Sequence, residues 1–344
     1  MYVGDIHDGS GLHHMLWEVL SNALDLHAAG LCTRIDIELL EDGGARVQDD
    51  GPGFLDLEVD GRLFLERALT ELHFGPSLDG HVPHDHAGLF GVGLVAVNAL
   101  SAGIRVRSND GRSEVRLEGF RGEIQRGVDR RDVAAGSARG AEVVWWPDPD
   151  VFDLRADWDG GLILHRLREF SALNPALQLT FADRRQHRLH TPCGLAGLLH
   201  VPPEFSADAC VKDVNVQVAA GWSRARATSH IRSLANLLPT SAEGVHVQGA
   251  MQGMVEAAAA FLGPSKPGTA IVRELITKRL HMVLCVRLAD PAFAGPTREV
   301  LRTPEAGDAC RIIVGEAMAN WLRAQPQLLA DWRQYCLDLH TDHP

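Results

Sequence analysis

Apolar residues recur at helical spacing from Leu12 to Leu26, through Met15, Leu16, Val19 and Ala23, and a few residues later the period drops to two. Thr33-Arg34-Ile35-Asp36-Ile37-Glu38-Leu39 alternates as a half-buried strand does, and Gly30 stands where a helix from Leu12 to Ala29 should stop. Asp42-Gly43-Gly44 turns the chain and Ala45 to Gln48 begins the returning strand. That strand ends in a tight acidic turn, Asp49-Asp50-Gly51-Pro52-Gly53. A helix from about Leu63 to His73 follows. Gly75 to Gly88 has no apolar period and leads into Gly88-Leu89-Phe90-Gly91-Val92-Gly93 and the helical run Leu94 to Leu100. Strands are predicted near Ile104–Ser108, Glu114–Gly119 and Ala141–Trp146. This order points to an α+β fold, with helices packed on one face of a mixed sheet.

A second, smaller α/β unit is expected to begin at residue 204, which divides the chain into 1–203 and 204–344. It holds a strand from Val211 to Val218, a helix-like stretch from Met251 to Leu262 and a strand from His281 to Leu288. A long helical end runs from Cys310 to Leu337, interrupted around Pro326.

With 45% hydrophobic and 23% charged residues in 344, the chain has a globular balance. No stretch approaches the ~18 consecutive apolar residues of a membrane span, and Met1-Tyr2-Val3-Gly4-Asp5 is no signal peptide, so a cytoplasmic protein with no membrane partner is expected. A formal net charge of −12 excludes a general nucleic-acid binder, so any DNA contact has to be local. The six cysteines include no C-x-x-C pair, which reads as free thiols in a reducing compartment and not as a zinc site. His81, His84 and His86 fall in a Gly/Pro-rich loop and read as solvated.

Glu18 and Asn22 are i and i+4 on the first helix, with Asp25 close to the same face. Alone, such a face is solvated surface. The acidic turn at Asp49, Gly51 and Gly53, followed by a glycine-rich loop opening a helix at Gly88, Gly91 and Gly93, gives it another meaning. Glycines before a helix let backbone N–H groups approach a polyphosphate. The Asp49 carboxylate can accept from an adenine amino group, the Asn22 amide oxygen is a hard ligand suited to Mg²⁺, and Glu18 can orient and deprotonate a water in line with a γ-phosphate.

On these residues the sequence resembles the gyrase B and topoisomerase IV B-subunit family of type II DNA topoisomerases. Gly9-Ser10-Gly11-Leu12-His13-His14-Met15 with Trp17-Glu18-Val19, Asn22 and Ala23 is similar to the opening of its ATPase domain. Val47-Gln48-Asp49-Asp50-Gly51 with Gly53 is similar to its adenine turn, and Gly88 to Gly93 followed by Val97-Asn98-Ala99-Leu100-Ser101 to its phosphate lid. Ser233-Leu234-Ala235-Asn236, Gly244 to Gly249 and Asp290-Pro291-Ala292-Phe293 resemble its transducer domain more weakly. The resemblance implies a GHKL/Bergerat ATPase sandwich followed by a transducer, with ATP and Mg²⁺ as cofactors. It implies Glu18 as general base, Asn22 as the Mg²⁺ ligand and Asp49 as the adenine reader. Gly51 and Gly53 would complete the adenine turn. Gly88, Leu89, Phe90, Gly91, Val92 and Gly93 would wrap the triphosphate, and Arg298 would stand where the transducer offers a lysine to the γ-phosphate.

The departures from the family pattern fall on phosphate and base contacts: Ser77 for a lysine, Phe90 for a histidine, Pro52 for an arginine, Ala141 for a threonine and Arg298 for a lysine. They bear on the rate of hydrolysis more than on nucleotide binding. The resemblance implies nucleotide-dependent homodimerisation, weakened because Met1 coincides with the point that an N-terminal arm precedes in the family. It also implies DNA as a partner through the transducer cavity, and strand passage would need a separate cleavage subunit. The alternative reading is a degenerate, non-catalytic ATP-binding paralogue that acts through protein contacts.

Overall fold

The computed structural model describes residues 5–53, 58–59, 62–72, 93–134, 136–153, 157–224, 228–262, 268–295 and 299–341. The chain divides into two compact units, Met1–Pro192 and Cys193–Pro344. The division falls earlier than the expected residue 204, because the 3-10 turn Gly194–Leu198 packs on the strands of the second unit.

In the first unit, α1 (Ser10–Ala28) is followed by the hairpin β1 (Arg34–Leu39) and β2 (Ala45–Asp49). A two-residue pair, β3 (Glu58–Val59) and β4 (Arg62–Leu63), precedes α2 (Phe64–Thr70). Next come α3 (Gly93–Ala99), β5 (Ser101–Asn109), β6 (Ser113–Phe120), β7 (Glu123–Asp132) and β8 (Gly140–Pro147). The unit ends with α4 (Gly160–Leu173), β9 (Gln178–Ala182) and β10 (Gln186–Leu189). Eight strands form one mixed sheet in the order β10-β9-β1-β2-β8-β5-β6-β7, with β1 and β9 parallel and the other neighbours antiparallel.

Register sorts the side chains of this sheet. Leu179, Ile35, Val47, Val143, Val106 and Leu117 fall on one face across six strands, all buried. Helices α1, α3 and α4 pack on the sheet, and α1 buries Leu12, Met15, Leu16, Val19, Leu20 and Ala23. The opposite face carries a charge ladder over adjacent strands. Arg46 bridges Glu38 at 2.8 Å and Glu142 at 3.3 Å, and Arg107 bridges Glu142 at 3.4 Å and Glu114 at 3.5 Å. Such cross-strand pairs favour this register and keep the face polar, though each is worth little where it is exposed. The α+β reading with helices on one sheet face therefore holds.

The second unit has β11 (Phe205–Val211), β12 (Val214–Trp222), β13 (His230–Ala235) and β14 (Leu238–Pro239). These are followed by α5 (Val245–Leu262), α6 (Thr269–Thr277), β15 (Leu280–Arg287), α7 (Pro304–Arg323) and α8 (Pro326–Thr341). The strand order is β11-β12-β15-β13-β14, and β13 runs parallel to β15. The strand expected from Val211 to Val218 is present from Val214 onward as β12, while Val211 ends β11 and the two residues between them form the turn of a hairpin. Lys212 and Asp213 hold φ of 49° and 63°, and β11 and β12 pair on either side of them. Two left-handed residues make the tight turn a two-residue hairpin needs, without the Asn-Gly that normally signals it. Helices α5 and α7 meet closely along Gly249 and Gly253, where a Cβ would stand 2.0 Å from Gly307 O and 2.2 Å from Arg311 O. Pro304 and Pro326 open α7 and α8, where a missing N–H costs nothing. Among the described residues no helix is long and apolar enough to cross a membrane.

Candidate functional site

Helix α1 gathers polar residues on one stripe. His14 Nε2 is 3.0 Å from Glu18 Oε1, one turn away. The Glu18 side chain is 16% exposed, so this carboxylate is not the solvated surface that its spacing alone suggests. One turn further, Asn22 Nδ2 donates to Glu18 O at 3.0 Å. The planar amide then turns its Oδ1 away from the helix backbone, and among the described residues nothing donates to that atom. A hard amide oxygen of this kind suits Mg²⁺, which keeps several waters and takes few protein ligands. Asn22 is the residue that fits such an ion here.

Gly93, the first residue of α3, lies against Glu18. A Cβ there would stand 2.4 Å from Glu18 Oε2 and 3.2 Å from Glu18 Cβ, so any side chain at this position would displace the Glu18 carboxylate. Helix α3 is fixed from behind by Asn98, whose Nδ2 donates to Leu69 O at 2.9 Å and Gly122 O at 3.1 Å.

Asp49 ends β2. It pairs with Ile35, so its side chain falls on the helix-covered face of the sheet and not among the charge ladder. Its Oδ1 accepts from Gly51 N–H at 2.8 Å and Ala141 N–H at 3.4 Å. Burial pushes the carboxyl above its usual range against the lowering effect of those two donors, and the Asp50 charge adds to the rise. Among the described residues nothing donates to Oδ2. The backbone here is tight: a Cβ on Gly140, whose φ is +142°, would lie 2.0 Å from Asp49 O. Gly51 touches Leu26 of α1, and Gly53 sits against Ser108 and Asn109 of β5.

The adjacent Asp50 does structural work. It accepts from Thr33 N–H at 2.7 Å, Thr33 Oγ1–H at 2.5 Å and Arg34 N–H at 2.9 Å. Burial opposes ionisation, but these donors outweigh it and hold the carboxyl below its usual range.

The structure therefore brings Glu18, Asn22, Asp49, Gly51, Gly53 and Gly93 to α1 and the structure beside it. Gly88, Leu89, Phe90, Gly91 and Val92, together with Ser77 and Arg298, lie outside the described residues, as do His81, His84 and His86. His14 is the functional candidate that the sequence reading missed. Its signal is the four-residue step to Glu18, masked by the neighbouring His13. That histidine is a buried strut whose Nε2 accepts from Asp159 N–H at 2.9 Å, and burial lowers its pKa although Asp159 and Asp8 raise it.

Two family models match the chain. Residues 7–142 match the histidine kinase-, DNA gyrase B-, and HSP90-like ATPase family, and residues 185–338 match DNA gyrase B. The chain is 28% identical over 359 residues to the DNA gyrase B protein of Chlamydia pneumoniae, covering 95% of this chain and 44% of that one. It is 30% identical over 348 residues to the gyrase B protein of Archaeoglobus fulgidus, covering 95% and 54%. It thus spans about half the length of these relatives. The 43K ATPase domain of Thermus thermophilus gyrase B, solved with an aminocoumarin, superposes with a TM-score of 0.79 at 27% identity, covering 98% of this chain and 92% of that one. The ATP-binding domain of Francisella tularensis topoisomerase IV shares the fold with a TM-score of 0.80 at 22% identity, covering 98% and 93%.

Proposed function

We infer that this chain is a divergent relative of the gyrase B and topoisomerase IV proteins, a reading supported by the two family models that match it and by its likeness to the gyrase B ATPase-domain structure. On this reading the first unit binds and hydrolyses ATP. Glu18 takes the proton of the water that attacks the γ-phosphate, and His14 fixes the carboxylate in line for that transfer. Asp49 accepts from the adenine amino group through Oδ2, while its Oδ1 stays engaged by backbone N–H groups. Asn22 would hold Mg²⁺ through Oδ1, and the bound ion would offset the charge of the triphosphate. Gly88 to Gly93 would supply backbone N–H groups to the phosphates, and Arg298 would reach the γ-phosphate.

The observation that carries this reading is the half-buried Glu18, oriented by His14 and pressed against the opening residue of α3. A non-catalytic ATP-binding paralogue has no need of such a group, and that alternative is not favoured. In the same reading the second unit relays nucleotide state to closure of a homodimer around DNA. ATP hydrolysis by the purified chain with Mg²⁺, measured beside Glu18→Ala, tests the central step.

A further inference from the structure

The nucleotide reading leaves one surface of the second unit unexplained. A groove of about 330 Å³ lies between β11 and α7. Strand β11 is the last strand of its sheet, and among the described residues no strand pairs with its outer side. Its pairing with β12 runs from Phe205↔Ala220 to Val211↔Val214 without a bulge. Its seven residues include no proline and no lysine. Proline, lysine and bulges are the usual devices that keep a sheet edge from accepting another strand, and this edge has none of them. Asp208, its one charged residue, is bound by Asn215 and Gln217 at 2.9 and 2.8 Å.

Phe205, Ala207 and Ala209 face the groove, and the two alanines leave room beside α7. The floor is completed by Ile313, Ala317 and Trp321, each four residues from the last on α7. Trp321 is held flat on Trp222, with ring centroids 4.7 Å apart and planes 10° apart. Glu204 and Glu316 are the ionisable residues lining the groove. Glu204 also accepts from Trp321 Nε1–H at 3.4 Å, while Glu316 is exposed and makes no described side-chain contact.

We propose that the β11 edge docks an extended basic peptide. The peptide adds a strand to the sheet through its main chain, places small apolar side chains over Ala207, Ala209 and Trp321, and sets Arg or Lys against Glu204 and Glu316. Charge complementarity selects this occupant. A second copy would bring the same acidic rim to both sides of the pairing, and like charges across a strand pair are destabilising.

Fluorescence anisotropy with a labelled Arg-Val repeat hexapeptide tests this on the full chain. Two probes of equal length, a Glu-Val repeat and an Arg-Pro repeat, serve as controls, since proline keeps the positive charge and removes strand donors. The Arg-Val probe is expected to bind at least about tenfold more tightly than either control. Glu316→Lys, an exposed substitution that leaves the fold unchanged by circular dichroism, should weaken it by about tenfold. Amide exchange within Phe205–Val211 should slow when the Arg-Val probe is bound. Equal binding of the Arg-Pro probe, an unaltered affinity in Glu316→Lys, or unslowed exchange in β11 would overturn the proposal. So would concentration-dependent self-association that protects β11 without any peptide, because the occupant would then be a second copy.

Discussion

His14 Nε2 stands 3.0 Å from Glu18 Oε1, so the proposed general base is oriented by a residue of its own helix, one turn earlier. This pair sets the first expectation. His14→Ala should lower kcat by about tenfold while ATP affinity stays the same, because the imidazole positions the carboxylate and does not touch the nucleotide. Removing a general base itself costs roughly 10²–10⁴-fold. Steady-state kinetics beside calorimetric titration separates the two effects, and an affinity loss in step with kcat would remove His14 from this role.

Asp49→Asn should weaken ATP binding by about 1.5–3 kcal/mol, the scale of a charge-assisted hydrogen bond. The same variant should not lose stability at neutral pH. The Asp49 carboxyl is raised by burial, so its favourable contribution lies at acid pH and is lost as pH rises through the folded value. The neutral amide avoids that cost and can still accept from Gly51 N–H. Titration calorimetry and thermal melts at pH 7 check both halves.

Gly93→Ala should lower turnover sharply with a smaller change in melting temperature. Its methyl would stand 2.4 Å from Glu18 Oε2, and the flexible end of Glu18 is what can yield. A fully active Gly93→Ala would show that Glu18 can leave its place without consequence, against the proposed chemistry.

The second unit should lose stability in acid through His246. This side chain is fully buried, Nε2 lies 3.1 Å from Thr240 Oγ1, and burial pushes the imidazole down to about 4. An unfolded histidine titrates near 6.5, so the contribution is complete above ~6.5 and is lost as pH falls toward 4, about 3 kcal/mol in all. His246→Gln should flatten that part of the pH profile. Urea unfolding at pH 7 and pH 5 for both proteins measures the difference, and parallel profiles would contradict it.

Much of the first unit could be read from its sequence because period and turn chemistry agree there. Leu12 to Leu26 keeps helical spacing, Thr33 to Leu39 alternates, and Gly43 and Gly53 take positive φ at the expected turns. Helix α4 escaped notice although Asp159 caps it by accepting from Leu162 N–H at 3.0 Å. Two glycines open it, and Glu169, 1% exposed and paired with Arg166, puts a charge on its buried side and breaks the apolar period. Strand β7 was hidden for a related reason: it holds its place partly through pairs such as Arg131 with Glu114, and charges carry no strand signature. At the candidate site, the shared helix face of Glu18 and Asn22 and the strand-end turn at Asp49 were legible from spacing and turn type. The roles of His13 and His14 were not, because adjacent histidines look alike until the helix turns one toward Asp159 and the other toward Glu18.

The most direct test of the account is ATP hydrolysis by the purified chain with Mg²⁺, measured beside Glu18→Ala with ATP affinity followed in both. The account predicts measurable turnover in the parent chain, turnover abolished in Glu18→Ala, and nearly equal affinities, since the base acts on water and not on the nucleotide. Hydrolysis by Glu18→Ala at the parent rate, or ATP binding without hydrolysis by the parent chain, would contradict it.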